Sequence, residues 1–216
     1  MTLTKQHVLD IQKNGIDWFG EPLARDGIYG PKTAWWEGIL TLDPKRQAVL
    51  RLALGYHAVN AGEATGRNDG TFVDMLFEPV GMQKKGYAWC VAFISHCYRM
   101  CGADWPIYHT SAWQVIDWAK KNGKLVPEPL PGDAEVFLYP KVSGEDWKGH
   151  GRIVTGFDAK TGRTAGVDGN VENAVRVGYR DPRPNRFFVR PEGLTGTYGA
   201  LVMPTKLVDL DGLADR

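Results

Sequence analysis

One stretch decides the fold of this chain: residues 86–101, GYAWCVAFISHCYRMC, which hold all three of its cysteines. Its apolar residues recur three and four positions apart, as on one buried stripe of a helix. They are Cys90, Phe93, Ile94, Cys97 and Cys101. The pattern predicts a helix with Cys90 in its first turn, where the helix dipole favours a thiolate. The alternative is that Cys90 is a small apolar core residue, as free cysteines usually are.

The cysteines are predicted to be reduced. Cys97 and Cys101 are neighbours on one helix face, and Cys90 and Cys97 would be about 10 Å apart along a helix axis, so neither pair has the geometry of a disulfide. We expect Cys97 and Cys101 to be structural. Reduced cysteines fit synthesis in the cytoplasm. The chain has no CxxC or CxxH spacing for zinc and no EF-hand spacing for calcium, so we predict no metal and no cofactor.

The charge balance argues against a nucleic-acid or lipid partner, because the formal net charge of the 216 residues is +1. The first fifteen residues, MTLTKQHVLDIQKNG, lack the apolar core of a signal peptide. No apolar run reaches the ~20 residues that a membrane span needs. We therefore expect synthesis in the cytoplasm without a signal peptide, and delivery by another agent if the target lies outside the membrane.

The N-terminal segment combines a helix that contains a glutamine with a turn and a second helix, DGIYGPKTAWWEGIL. It resembles the peptidoglycan-binding domain of many cell-wall hydrolases. The residues that match the pattern are Gln12, Asp26, Gly27, Gly30, Pro31, Lys32 and Thr33. The resemblance implies cell-wall contacts at Asp26, Tyr29 and Trp35. Asp43-Pro44 marks a boundary between a small module, residues 1–43, and a main domain, residues 44–216. The alternative is a helical hairpin that packs on the main domain.

The rest of the chain changes from helical to strand periodicity. Residues 46–61 predict an amphipathic helix that carries a structural histidine, His57, on its apolar face. Residues 70–77 and 109–123 predict two more helices, the second capped by Thr110 or Ser111 and preceded by His109. From Pro131 the period is two, which predicts strands at 134–139, from His150, and at 163–170, 174–179, 186–189 and 200–203. Helices followed by an antiparallel sheet indicate the α+β class.

A reactive cysteine needs a base within hydrogen-bond reach, and the base needs an acceptor to orient it. His150 begins a predicted strand directly after a loop. Asp168 and Asn170 are two positions apart on the next strand, which predicts that both side chains lie on one face. A cysteine at a helix start, a histidine on one strand and a polar acceptor on the next form a papain-like arrangement.

Four blocks in order make this pattern specific: AWCVAFISHCYRMCG, PGDAEVF, GHGRIVTGF and VDGNVENAVRVGYR. They resemble the CHAP amidase/peptidase family of peptidoglycan hydrolases. The resemblance implies a papain-like α+β fold with Cys90 as nucleophile, His150 as base, and Asp168 and Asn170 completing the site. Whether Asp168 or Asn170 orients His150 stays open. Substrate contacts are expected at Tyr87, Trp89 and Trp113, and the Cys90 N–H with Tyr87 would stabilise the oxyanion.

The predicted function is hydrolysis of an amide bond in peptidoglycan, by an N-acetylmuramoyl-L-alanine amidase or an endopeptidase. A monomeric phage endolysin is the leading interpretation, acting on the wall after release through a membrane pore. An injected antibacterial effector, paired with an immunity protein, is the next. A non-catalytic wall-binding or phage structural protein and a protein deamidase are the remaining alternatives.

Overall fold

Helices come first along the chain and a sheet follows, so the predicted α+β class is confirmed. The computed structural model describes residues 4–81, 86–103, 105, 111–140, 148–191, 193–194, 203–204 and 206–211. Thr4 caps the first helix, because its side chain accepts a hydrogen bond from the His7 N–H. Within these ranges the helices are α1 Lys5–Gln12, α2 Pro31–Leu40, α3 Pro44–Ala58, α4 Thr71–Phe77, α5 Cys90–Met100 and α6 Ala112–Lys121, with a 3-10 turn at Glu78–Val80.

The strands form one sheet in the order β1-β6-β2-β3-β4-β5-β7. Neighbouring strands are antiparallel, except that β5 and β7 are parallel. Their bounds are β1 Leu125–Val126, β2 Ala134–Leu138, β3 Gly149–Asp158, β4 Arg163–Val171, β5 Ala174–Arg180, β6 Arg186–Val189 and β7 Val208–Asp209. The short strands β1 and β7 were not predicted. His109, Thr110 and all of the predicted strand at 200–203 except Met203 lie outside the described residues.

The two faces of the sheet differ in chemistry. Alternate residues point to opposite faces of a strand. One set is apolar and shares a core with the helices; it includes Val136, Ile153, Val167, Val177 and Val189. The other set is polar yet fully buried, and it includes Glu135, Arg152, Thr164, Asp168 and Arg180. We call the first set the helix face and the second the polar face.

The N-terminal segment shares its core with the rest of the chain. Trp35 of α2 has no solvent exposure, and its indole N–H donates to the carbonyl of Thr155 on β3 at 3.3 Å. Trp36 and Ile39 belong to the same hydrophobic core as α5. The expected wall contact of Trp35 is therefore wrong, because its ring is used to pack α2 against the sheet. The domain boundary at residue 43 stays a prediction.

Candidate active site

Cys90 occupies the position that the apolar spacing predicted, as the first residue of α5. It is 4% exposed, and the helix begins with a hydrogen bond from the Phe93 N–H to the Trp89 carbonyl at 2.8 Å. All three cysteines are free thiols, as expected. Cys97 lies deeper on the same helix, where burial raises the pKa of its thiol well above the ordinary value. Of these two thiols, Cys90 is the one at a helix start.

The residue before Cys90 is held by the loop of residues 63–69. The Trp89 indole N–H donates to Glu63 Oε1 at 2.9 Å, and Glu63 Oε2 accepts from the Asn68 N–H at 2.8 Å. The ring of Trp89 is fully buried and meets Phe72 edge-on at 5.6 Å between centroids. Trp89 is therefore a core residue, and its assignment as a substrate contact is wrong. The signal for this anchor was an acidic and an amide side chain in the loop EATGRND.

The Asn170 side chain contacts this same loop. It does not lie on the face of the sheet that the Asp168 side chain occupies. Its side-chain amide donates to Asn68 Oδ1 at 3.1 Å. The β4–β5 register shifts between Asp168 and Val171, and Asn170 has a left-handed φ of 62°. A bulge of this kind re-aims a side chain, and asparagine tolerates the left-handed region better than most residues. The prediction that Asp168 and Asn170 share a face is therefore wrong.

Asp168 is the acceptor that contacts His150. The distance from His150 Nε2 to Asp168 Oδ1 is 2.9 Å, and both side chains are buried. The ring of Phe137, the cross-strand neighbour on β2, packs against the imidazole with 5.5 Å between centroids. Of the two candidates that the sequence left open, the structure joins Asp168 to His150 and Asn170 to the loop beside Trp89.

Two arginines complete the surroundings of Asp168. Arg152 Nε lies 2.9 Å from Oδ2, and Arg180 Nε lies 3.0 Å from Oδ1. Burial alone would raise the pKa of Asp168, but the charges of Arg152 and Arg180 and the hydrogen bond from His150 outweigh it. They hold the pKa of Asp168 well below its ordinary value. The sequence signal for this cluster was the presence of Arg152 and Arg180 within strands that are otherwise largely apolar.

The imidazole of His150 projects from β3 on the polar face of the sheet. A Cβ placed on Gly151 would lie 3.1 Å from Ile94 Cδ1 of α5, and one on Gly149 would lie 2.9 Å from Ala112 Cβ of α6. Both neighbours of His150 thus face the helices, so the His150 side chain points away from them. The structure brings α5 against the residue next to His150. It does not put the Cys90 thiol and the His150 imidazole on one face of the sheet.

Two other predicted substrate contacts are accessible. Tyr87, three residues before Cys90, is 43% exposed, and Trp113 on α6 is 48% exposed. Both side chains are available to a ligand. His57 is structural, as predicted: its Nδ1 lies 3.1 Å from the Val175 carbonyl oxygen on β5.

The residues of the wall-binding-like motif build a turn. Asp26 Oδ1 accepts from the Ile28 N–H at 2.8 Å and from the Gln12 side-chain amide at 3.0 Å. Gln12 Oε1 in turn accepts from the Gly27 N–H at 3.0 Å. The hydrogen bonds from Ile28 and Gln12 lower the pKa of Asp26. Tyr29 is exposed and its hydroxyl donates to Glu37. The motif therefore has a structural explanation, while Asp26 and Tyr29 stay accessible at the surface.

Comparison of the chain with protein-family models, with curated proteins and with solved structures finds no match. Among the residues that the structure describes, no three His, Cys, Asp or Glu side chains are grouped so that they could hold a metal ion. None of the helices in the described ranges has the length and apolar character that crossing a membrane requires.

Proposed function

We propose that this protein is a CHAP-type cysteine hydrolase that cleaves an amide bond of peptidoglycan. The observation that carries the proposal is the buried His150–Asp168 pair on a strand whose next residue, Gly151, packs against the helix that Cys90 opens. Val91 Cγ2 would lie 3.6 Å from a Cβ on Gly151, so the first turn of α5 reaches the residue that follows His150. A cysteine at a helix start, with an oriented histidine on the strand beneath it, supports acyl-transfer chemistry.

The mechanism follows from the roles of these groups. The Cys90 thiolate attacks the amide carbonyl, and the imidazolium of His150 gives its proton to the leaving amine. A water molecule that His150 activates then hydrolyses the thioester. Because Asp168 engages Nε2, Nδ1 is the nitrogen that would serve the thiol. The mechanism requires thiol and imidazole to meet around the end of β3, where His150 is the second residue.

The decisive test is the loss of hydrolysis on substitution of the thiol. We expect Cys90→Ala to fold and to release no soluble fragments from purified peptidoglycan, because the nucleophile is gone. Cys101→Ala, at the C-cap of the same helix, is the matched control and should retain wild-type activity. Mass spectrometry of the wild-type digest identifies the bond: the sugar–peptide amide, a stem-peptide bond or a cross-bridge. Wild-type activity in Cys90→Ala would refute the proposal.

A specific observation favours a second candidate, a non-catalytic wall-binding or phage structural protein. The imidazole lies on the polar face and the Cys90 thiol is almost fully buried. Iodoacetamide labelling at neutral pH, followed by peptide mass spectrometry, separates the two. A hydrolase should alkylate at Cys90 much faster than at Cys97. Equal, slow labelling of both thiols, together with binding of wild-type protein to peptidoglycan without digestion, would favour the scaffold.

The proposed wall contact and route of delivery are tested separately. The exposed turn at Asp26 and Tyr29 is the proposed contact with the wall, and sedimentation with peptidoglycan after Tyr29→Ala tests it. For delivery we propose an endolysin, with an injected effector as the alternative. A neighbouring gene for an immunity protein that binds and inhibits this chain would favour the effector.

A further inference from the structure

We propose that Arg180 is a positioning residue of the hydrolase, which acts on His150 through Asp168; this inference rests on the proposed function. Arg180 Nε and His150 Nε2 share one oxygen, Asp168 Oδ1, at 3.0 and 2.9 Å. Arg152 holds the other oxygen, Oδ2, at 2.9 Å. Each carboxylate oxygen of Asp168 therefore lies next to a different guanidinium group, one from β3 and one from β5.

Shared use of one oxygen restricts the rotation of the carboxylate. A carboxylate held by Arg152 alone could turn about its Cβ–Cγ bond and still keep that ion pair. The second guanidinium at Oδ1 fixes the plane of the carboxylate, and thereby the direction in which Oδ1 meets the imidazole. Arg180 is 1% exposed, so its bonds are not exchanged for bonds to bulk water.

Arg180 also connects this pair to the end of the described chain. Its Nη1 donates to the Leu210 carbonyl at 3.3 Å and lies 3.5 Å from Asp211 Oδ1. Arg183 pairs with the same Asp211 oxygen. The segment beside β7 thus contacts the guanidinium at Nη1, while Asp168 contacts it at Nε. Arg180 therefore links that segment to the imidazole of His150 through Asp168.

Several other charged groups face the pair and enter any titration of His150. On β2, Glu135 accepts from the Thr164 hydroxyl at 2.6 Å and lies 3.7 Å from Arg186 Nη1. Arg183 lies over the ring of Phe137, 4.1 Å from its centroid. Arg152, Arg180 and Asp211 also lie near the pair, and all of these charges would influence the titration of His150. Arg180 is the arginine that shares the histidine's own oxygen.

The test combines kinetics with a direct measurement on His150. In Arg180→Gln we expect kcat to fall by on the order of 10²-fold at unchanged KM, the cost of a misplaced catalytic group. Removing the guanidinium charge should also raise the pKa of His150, measured by NMR titration of labelled histidine with the His150 signal assigned through His150→Gln. Arg163→Gln is the matched control, since Arg163 pairs with Asp181 at the surface, and it should change neither quantity.

The outcomes separate this inference from the proposed function. Wild-type kcat in a folded Arg180→Gln variant, or an unchanged His150 pKa, overturns the inference while leaving the hydrolase intact. If that variant does not fold, Arg180→Lys keeps the charge without the guanidinium fork and should lower kcat at unchanged KM; wild-type kcat there overturns the inference. A wild-type protein that does not digest peptidoglycan refutes the hydrolase, and with it the catalytic role of Arg180.

Discussion

Asp168 is the residue on which one cluster of buried charges converges. It accepts from His150 and pairs with Arg152 and Arg180, all at 3.0 Å or less and all within the interior. Breaking a buried ion pair by removing one partner is costly, because it leaves the other charge without compensation. Asn170, two residues later, makes a neutral hydrogen bond to Asn68. The two residues should therefore differ in what their loss costs.

We predict that Asp168→Asn lowers the free energy of unfolding by about 3–5 kcal/mol, as for a buried pair that loses one partner. Asn170→Gly should cost about 1 kcal/mol, since glycine keeps the left-handed φ accessible and the hydrogen bond to Asn68 is lost. Urea denaturation at pH 7 measures both. In the hydrolase, kcat should also fall more in Asp168→Asn. Equal losses in the two variants would contradict this assignment.

The depressed pKa of Asp168 predicts a loss of stability in acid. Its folded pKa lies below the unfolded value of about 3.9, so the unfolded state takes up the proton first as the pH falls. The contribution of Asp168 is fully present above that unfolded pKa and is lost as the pH falls through the folded pKa. Urea midpoints should drop steadily below about pH 4. The drop should be smaller in Asp168→Asn, and an equal drop in both proteins would contradict the linkage.

At the scale of elements, α5 lies against two glycines of the sheet. A Cβ on Gly151 would meet Ile94, and a Cβ on Gly169 would lie 2.7 Å from Phe93 Cβ and 2.9 Å from Trp89 Cζ3. Distances this short mean that the helix approaches the strands where they have no side chains. The position of Cys90 relative to the sheet depends on this close approach.

We predict that Gly169→Ala costs about 1–3 kcal/mol, because the added methyl overpacks the contact with α5. Gly55→Ala is the matched control: its Cβ would meet nothing within 4 Å in the interior of α3, so alanine should stabilise by about 0.5–1 kcal/mol. Thermal unfolding followed by circular dichroism measures the pair. A neutral Gly169→Ala would mean that α5 can move away from β4 at no cost.

The helices and strands could be predicted from the sequence. The face of the sheet on which each side chain lies was harder to predict. The helix at Cys90 and the inner strands follow from local periodicity. The bulge at Asn170 depends on Asn68, which lies 102 positions away, and no local pattern shows it. The facing of His150 did have a signal: polar His150 and Arg152 alternate with Gly151 and Ile153, and the apolar set is the one that helices cover.

At the scale of the whole molecule, one core extends from the N-terminal helices to the sheet. Trp35, Trp36 and Ile39 belong to it together with residues of α5. The turn motif could be identified from the sequence because Gln12 and Asp26 act locally. The burial of Trp35 could not, because its partner is a carbonyl of Thr155 on β3, 120 positions later. A tryptophan beside a binding-like turn is consistent with either role until that partner is known.

We predict that Trp35→Ala lowers the stability of the whole protein by about 3–5 kcal/mol, since it empties a large buried volume. Circular dichroism of the sheet and tryptophan fluorescence should then report one shared transition. Tyr29→Ala, on the exposed turn, is the control and should stay within about 0.5 kcal/mol of wild type. Two separate transitions, with only the earlier one moved by Trp35→Ala, would show that the first 43 residues unfold on their own.

The outermost strands of the sheet, β1 and β7, are two residues long, whereas the central strands β3 and β4 have ten and nine. An exposed strand edge is a template on which a second chain can add its own strand and start aggregation. Here the edges of the described sheet offer few unpaired backbone groups to such a chain. Concentrated protein should accordingly resist fibril growth for as long as the native fold is kept.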